Sequence, residues 1–385
     1  MKRIKVVHVI TKLELGGAQI NTVYTYENLD ETEFEAYLLS GPGGILAEKV
    51  NKKEHFTIVK DLVREIRPLK DLKALFQVVK ILKKIKPHIV HTHSTKAGIL
   101  GRLAAFLLRI PMIIHSVHGF SFSPFQSLLK RTFYITAEKI VSRLTGHFIF
   151  VSTDDIKIAR QKKLIKENYS LIRSGFPTKK FIQKSGNVKN TREKYNIKET
   201  DFVCGIIAPF KPQKGLFHLI EIAARVLVSK TNKKKILFMI AGDGDLRGAI
   251  EAKLQEKKIA EHFRLPGFVF DIENAIDAFD LGISTALWEG LPQSLIQLRL
   301  KKKAVVASDI PGNREVIKEN KNGFLVDVSD YQRFSQGILY LVNEDAERER
   351  LAGFEEDFSQ WDADYMVNEQ EKLYKNSLVE FFPDD

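Results

Sequence analysis

Thirteen short apolar runs punctuate the chain, and many of them are continuous rather than alternating. In the first half they are Lys5–Ile10, Ala36–Ser40, Phe56–Val59, His88–Thr92, Met112–Val117, Phe148–Ser152 and Ser170–Arg173. In the second they are Phe202–Ala208, Ile236–Ala241, Phe263–Leu265, Leu281–Ser284, Ala304–Ser308 and Gly323–Val326. Unbroken Val, Ile, Leu and Phe read as strands covered on both faces by helices, as in parallel sheets. The stretches between them are of helix length. In one, Leu72, Leu75, Phe76, Val79 and Leu82 recur at helical spacing, with Lys70, Lys73, Lys80, Lys83 and Lys84 mostly on other faces. Two successive β/α sets predict an α/β protein with two Rossmann-like, doubly wound parallel-sheet domains. The polar stretch from Gln183 to Asn190 puts the boundary near residue 185, giving domains 1–185 and 186–358. A last segment, 359–385, carries Met366, Leu373 and Tyr374 at amphipathic spacing. Sheets of this kind bind ligands beyond the carboxyl ends of their strands, so the expected site is a cleft between the domains there.

Composition narrows the class. The chain has 385 residues, 44% hydrophobic and 28% charged, as in an ordinary two-domain enzyme. Cys204 is the single cysteine, so no internal disulfide can form and a reducing cytoplasm fits. The basic start at Lys2 and Arg3 leads into an apolar run broken by His8, which reads as a strand and not a signal peptide. The longest apolar stretch, Ala104–Val117, is interrupted by Arg109 and Pro111 and predicts no membrane span. Charge is uneven. Residues 1–185 hold 32 Lys and Arg against 15 Asp and Glu, or +17, and the remainder holds −5 of the +12 total. The first half is therefore expected to face something anionic, a membrane surface or a lipid diphosphate. Nucleic acid is disfavoured, because no helix-turn-helix cue or aromatic-basic single-strand motif accompanies the charge.

Two segments carry the chemistry. Lys211-Pro212-Gln213-Lys214-Gly215 puts two ammonium groups in a glycine-bearing turn after a strand, suited to a diphosphate. Glu289-Gly290-Leu291-Pro292 puts a carboxylate just before a helix whose first N–H groups can face the same anion, while Glu289 holds sugar hydroxyls. Gly16-Gly17 opens a helix after the first strand and lets backbone approach a phosphate, although paired glycines also mark any tight strand-to-helix turn. Neither a nicotinamide fingerprint nor a P-loop is present. His91, His93, His115 and His118 end apolar strands; without a nearby Cys or carboxylate they read as polar contacts rather than as a metal set. His115 reads as a core histidine and His118 as the working one. Asp154-Asp155 reads as first-turn acids, with Thr153 or Asp154 as the helix cap, and Lys301-Lys302-Lys303 as solvated loop charge. The aromatic and basic stretch Phe125–Leu144 fits an amphipathic core helix and a surface lying on anionic lipid equally well.

The ordered set of these segments resembles the retaining glycosyltransferases of the two-domain GT-B fold, family four. Further carriers are Ile172-Arg173-Ser174-Gly175, Ala241-Gly242-Asp243-Gly244, Gly312-Asn313-Arg314-Glu315-Val316 and Asn322-Gly323-Phe324-Leu325-Val326. The resemblance implies a nucleoside-diphosphate sugar donor, UDP type favoured, no cofactor, and an acceptor that is a glycan or a lipid-diphosphate-linked glycan of cell-surface polysaccharide. Location would be cytoplasmic, with peripheral contact at the inner membrane face. It implies that Lys214 and Lys211 neutralise the leaving diphosphate, Glu289 binds the donor sugar, and Gly290 and Leu291 offer backbone N–H groups. His118 would meet the sugar, Gly16 and Gly17 the diphosphate, and Phe268, after Gly267, the base. The final helix would cross back to the first domain. The family's second Glu, on the ribose, is Gln297 here, and Pro209 stands where an Arg is common; an amide accepts more weakly than a carboxylate. A nucleotide-sugar epimerase on the same site, or a non-catalytic binder, are the alternatives.

Overall fold

The computed structural model describes residues 3–14, 16–120, 122, 127–182, 188–229 and 234–379. It holds two parallel sheets. The first contains β1 (Ile4–Ile10), β2 (Phe34–Ser40), β3 (Phe56–Ile58), β4 (Ile89–His93), β5 (Met112–Val117), β6 (His147–Phe150) and β7 (Tyr169–Leu171), in the order β3-β2-β1-β4-β5-β6-β7. The second contains β8 (Phe202–Ile207), β9 (Ile236–Ala241), β10 (Phe263–Gly267), β11 (Leu281–Ser284), β12 (Val305–Ser308) and β13 (Gly323–Val326), in the order β10-β9-β8-β11-β12-β13. Each apolar run of the sequence is a strand, and every pairing between them is parallel.

In both sheets the chain steps outward for three strands and then returns beside the first. The strand order therefore reverses between β1 and β4, and again between β8 and β11. At such a reversal the connections leave in opposite directions and a crevice opens at the carboxyl ends. The chain divides into one compact unit running to Pro177 and resumed from Ser359, and a second spanning Thr178–Phe358. The boundary expected at residue 185 falls outside the described residues; helix Thr178–Ile182, just before it, packs on helix Gln293–Leu300 and belongs to the second unit.

In the first unit alternate strand residues face opposite ways. Val7, Val9 and Val90 pack under helices Pro68–Ile85 and Thr95–Leu107. Val6, Ile89 and Ile114 pack under Met366, Val367, Tyr374 and Leu378 of the last helix, Ala363–Leu378. That helix is pinned at its start, where Phe176 N donates to Trp361 O at 3.1 Å and Ala363 N to Phe176 O at 3.0 Å. The second unit has its own core, with Cys204, Ile206, Phe238, Ile240 and Val306 beneath helices Leu216–Val228 and Tyr331–Asn343. No described helix is long and apolar enough to cross a membrane.

Two local expectations are corrected. The helix Thr153–Gln161 is capped by Ser152, whose side chain accepts from Asp155 N, and not by Thr153 or Asp154. Lys301 and Lys303 are not solvated. Lys301 pairs with Asp277 at 3.2 Å, and the half-buried Lys303 donates to Phe279 O at 2.6 Å. Burial pulls the Lys303 ammonium below its ordinary pKa, with nearby Asp280 and Asp277 opposing the shift.

Candidate active site

In the second unit the site grows from the reversal between β8 and β11. After β8 the chain turns through Lys211 and the short 3-10 turn Pro212–Lys214, then enters helix Leu216–Val228 through Gly215. Gly215 has φ +60, and a Cβ there would lie 2.1 Å from the Thr285 carbonyl oxygen. Only glycine allows the lysine turn to lie this close to the end of β11. Thr285 Oγ1 donates to Lys214 O at 3.0 Å and Leu287 N to Gln213 O at 2.8 Å, fixing the two loops together.

That juxtaposition seats Lys214 on Glu289. Lys214 Nζ donates to Glu289 Oε1, and Gln213 Nε2 donates to Glu289 Oε2 at 3.1 Å and to Trp288 O at 2.8 Å. Both carboxylate oxygens are thus engaged, with side-chain exposures of only 17% for Lys214 and 10% for Glu289. A third element closes the back: a Cβ on Gly312, in helix Pro311–Val316, would lie 2.5 Å from Glu289 O. Asn313 fastens that helix, donating to Ser308 O at 2.8 Å. Gly290 and Leu291 follow Glu289, half-buried. The next helix runs from Gln293 to Leu300, so Pro292 occupies the cap and not the first turn. Gln293 carries a buried Nε2 without a hydrogen-bond partner.

Neighbouring strand ends extend this site. Gly242 follows β9 and Gly267 ends β10; Gly242 N donates to Gly267 O at 2.9 Å, and Phe210 N to Asp243 O at 2.9 Å. The loop at Gly267 and exposed Phe268 is thereby linked, through Gly242 and Asp243, to the loop that carries Lys211. Gln297 is half-buried one turn beyond Gln293 on the same helix.

In the first unit the strand-end residues converge differently. Helix Gly17–Asn28 starts at Gly16, which is extended at φ −172 and offers no side-chain cap, so its first N–H groups are left to other partners. His118 follows β5 and lies 3.4 Å (Nε2) from His93 Nδ1, while His93 Nε2 lies 3.1 Å from His8 Nδ1. His91 is held by Tyr374 OH at 2.6 Å and Ser116 Oγ at 2.7 Å. His115 bonds Thr92 Oγ1 at 2.9 Å and is a core histidine, as its position on the strand implied. His8, His91 and His93 come near enough to share an ion. Hydrogen bonds nevertheless account for five of their six ring nitrogens, leaving His8 Nε2. Burial pushes His118 down to about 4 and His8 to about 3, and holds His91, His93 and His115 well below the usual range. All five are neutral at pH 7. His118 Nδ1 has no hydrogen-bond partner. His118 lines two recesses of this unit. One also includes Ser94, Tyr134 and Glu138; the other includes Asn21, Thr22 and Gln370.

Sequence reasoning did not find the Gln213 clamp on Glu289, the His8–His93–His118 chain, or the Tyr374 and Gln370 contributions of the last helix. Gln213 stood inside a recognised motif; the others are joined only through tertiary structure.

Comparison with known proteins is consistent with this geometry. Residues 187–354 match the family described as glycosyl transferases group 1, and residues 15–180 match glycosyltransferase family 4. The chain is 30% identical over 350 residues to the Escherichia coli UDP-Gal:alpha-D-GlcNAc-diphosphoundecaprenol alpha-1,3-galactosyltransferase, covering 89% of each chain. It is 24% identical to the Staphylococcus aureus capsular polysaccharide biosynthesis glycosyltransferase CapM, over 99% of both. The crystal structure of Anabaena Alr3699/HepE in complex with UDP and glucose shares the fold, with a TM-score of 0.83 at 17% identity over 97% of this chain and 100% of that one. With two family descriptions tiling its length and a 30% identical relative spanning most of it, the chain belongs to the family 4, group 1 glycosyltransferases, with the two parallel-sheet domains of the GT-B fold.

Proposed function

We propose that this glycosyltransferase moves a hexose from a UDP-type donor to a hydroxyl of a lipid-diphosphate-linked glycan, keeping the anomeric configuration. The observation that carries the reading is the Lys214–Glu289–Gln213 cluster at the β8–β11 reversal. An ammonium seated on a carboxylate is pre-oriented. When a diphosphate arrives, Lys214 can turn its charge to the anion, and Glu289 then has an oxygen free for a sugar hydroxyl. In the reaction the bond from the anomeric carbon to the phosphate oxygen breaks and a bond from that carbon to the acceptor oxygen forms. The acceptor proton leaves with the departing phosphate. Negative charge grows on the phosphate, and Lys214, Lys211 and the N–H groups following Gly290 stabilise it. Gln297 is assigned to the ribose and Phe268 to the base.

The acceptor class rests on the relatives. The Escherichia coli relative is named for a diphosphoundecaprenol-linked acceptor and an α-1,3 product, and a Campylobacter jejuni relative, 26% identical over 80% of this chain, for a diphospho-undecaprenol-linked acceptor. UDP-hexoses of this type carry the sugar in the α configuration, so an α product would mean retention. The test is incubation with UDP-hexoses and a GlcNAc-diphosphate lipid, with the product's anomeric proton read by NMR. An α-linked disaccharide supports the reading. A β linkage, or a free sugar or epimerised product with no acceptor glycoside, rejects it.

A further inference from the structure

We propose that Glu356 is a positioning residue for the Glu289 loop, acting from the far end of the helix that follows this loop through a buried ion pair with Arg299. Helix Gln293–Leu300 begins where the loop ends and runs roughly 12 Å away from it. Its far end is clamped from two sides. Lys301 and Lys303 hold one side, on Asp277 and on Phe279 O. Arg299 holds the other. Its Nε donates to Glu356 Oε2 at 3.2 Å, Nη1 to Lys303 O at 2.6 Å, and Nη2 to Ala352 O at 3.3 Å and Phe354 O at 3.4 Å. One guanidinium thus ties the helix to residues 352–356. Cations suit this end, where a helix leaves carbonyls unpaired.

Glu356 has a second partner. Asn322 Nδ2 donates to Glu356 Oε1 and also, at 3.0 Å, to Val316 O, the last carbonyl of helix Pro311–Val316. Asn322 Oδ1 in turn accepts from Lys318 N at 2.8 Å, so the amide is fixed at both ends. Helix Pro311–Val316 is the one whose Gly312 abuts Glu289 O. A single carboxylate therefore fastens both helices that frame the Glu289 loop, the one that follows it and the one behind it.

Burial argues for a role beyond stability. The Arg299 and Glu356 side chains are 1% and 9% exposed. Burial pulls the Arg299 guanidinium below its ordinary pKa, with Glu356 opposing the shift. Taking both charges out of water offsets much of their attraction, and an apolar pair of similar size is often as stable or more so. An apolar pair cannot supply direction. A planar fork aimed at three carbonyls and a carboxylate fixes one arrangement of helix and segment. Of residues 353–357, Glu356 alone is not exposed, so the segment is seated by polar contacts and not by an apolar face. Three residues later, at Ser359, the chain re-enters the first unit. The segment that steadies the Glu289 loop is thus the one by which the chain leaves the second unit. That the loop serves a diphosphate donor rests on the proposed function; that Glu356 holds the loop does not.

The test compares the full-length wild type with three variants. Glu356→Gln strands the Arg299 charge, and Arg299→Met/Glu356→Met removes both charges. Ile250→Ala truncates the core of the same unit outside this network and serves as a control for lost stability. Each is read by melting temperature, by calorimetric titration of UDP, and by hydrogen exchange at residues 289–296 without ligand. The double variant is expected to melt within a few degrees of the wild type, bind UDP about ten-fold more weakly, as a small misplacement of binding groups does, and exchange faster at residues 289–296. Glu356→Gln is expected to show the same two losses at a lower melting temperature, while Ile250→Ala keeps wild-type UDP affinity. A double variant with wild-type affinity and exchange overturns the proposal, because packing alone would then hold the loop. Equal weakening in Ile250→Ala at a matched melting temperature also overturns it, because the effect would be one of stability. If the double variant melts far below the wild type, Glu356→Gln against Ile250→Ala decides. If the wild type binds no UDP, the donor reading fails, and exchange at residues 289–296 still decides whether Glu356 holds the loop.

Discussion

Replacing Lys214 by Met separates the two tasks assigned to that side chain. The stem stays, so packing changes little, and the ammonium is lost. In the folded protein this leaves Glu289 Oε1 without its cation, while Oε2 keeps the Gln213 donor at 3.1 Å. Breaking a fully buried pair costs about 3–5 kcal/mol. This pair retains 17% and 10% side-chain exposure and one surviving hydrogen bond, so about 1–2 kcal/mol is expected. The catalytic effect should be larger. Removing one preorganised donor from a site of developing charge costs roughly 10²–10³ in kcat. Glu289→Gln on top of Lys214→Met removes the stranded charge and should recover most of the stability and none of the turnover. The assay is release of nucleoside diphosphate under saturating donor, run beside urea unfolding of the same three proteins. A single variant within about five-fold of wild-type kcat, or a double variant that recovers turnover, would refute the role given to the ammonium.

Other substitutions read neighbouring parts. Gly215→Ala must fit a Cβ at φ +60 and 2.1 Å from Thr285 O, so it should destabilise by at least about 2 kcal/mol and weaken donor binding; an unchanged melting curve would contradict the close approach. Gln297→Glu offers a charged acceptor, roughly twice as strong as the amide, and should lower the donor KM several-fold; an unchanged KM would remove Gln297 from the ribose. The buried histidines set a pH window. Their folded pKa values lie below the unfolded value near 6.5, down to about 4 for His118 and about 3 for His8. As pH falls from 6.5 toward 4 the unfolded chain takes up protons first, so stability present at pH 7 is lost at up to about 1.4 kcal/mol per pH unit per histidine. Urea unfolding at pH 7 and pH 5 checks this, and equal stabilities would contradict it.

Much of the fold was legible because it rests on local signals. A strand buried on both faces, such as β9, must be apolar throughout and stood out in sequence, and even the exposed edge strands β3 and β7 coincide with short apolar runs. The loop motifs were legible because glycine and proline mark turns whatever surrounds them. What escaped depends on partners distant in sequence. His91 meets Tyr374 across 283 residues and His8 meets His93 across 85. Nothing in the spacing of either announces the other. Lys301 and Lys303 looked solvated because their partners, Asp277 and the Phe279 carbonyl, lie 24 residues earlier. Ser152 was passed over as a cap because three polar residues follow it, and only the backbone angles choose among them.

Direct titration of UDP into the full-length protein by calorimetry bears most simply on the central claim, that the lysine turn and Glu289 loop of the second unit form a diphosphate site. One UDP per chain is expected, with Lys214→Met at least ten-fold weaker and Lys80→Glu unchanged. UDP binding that is indifferent to Lys214, or no binding at all, would contradict it.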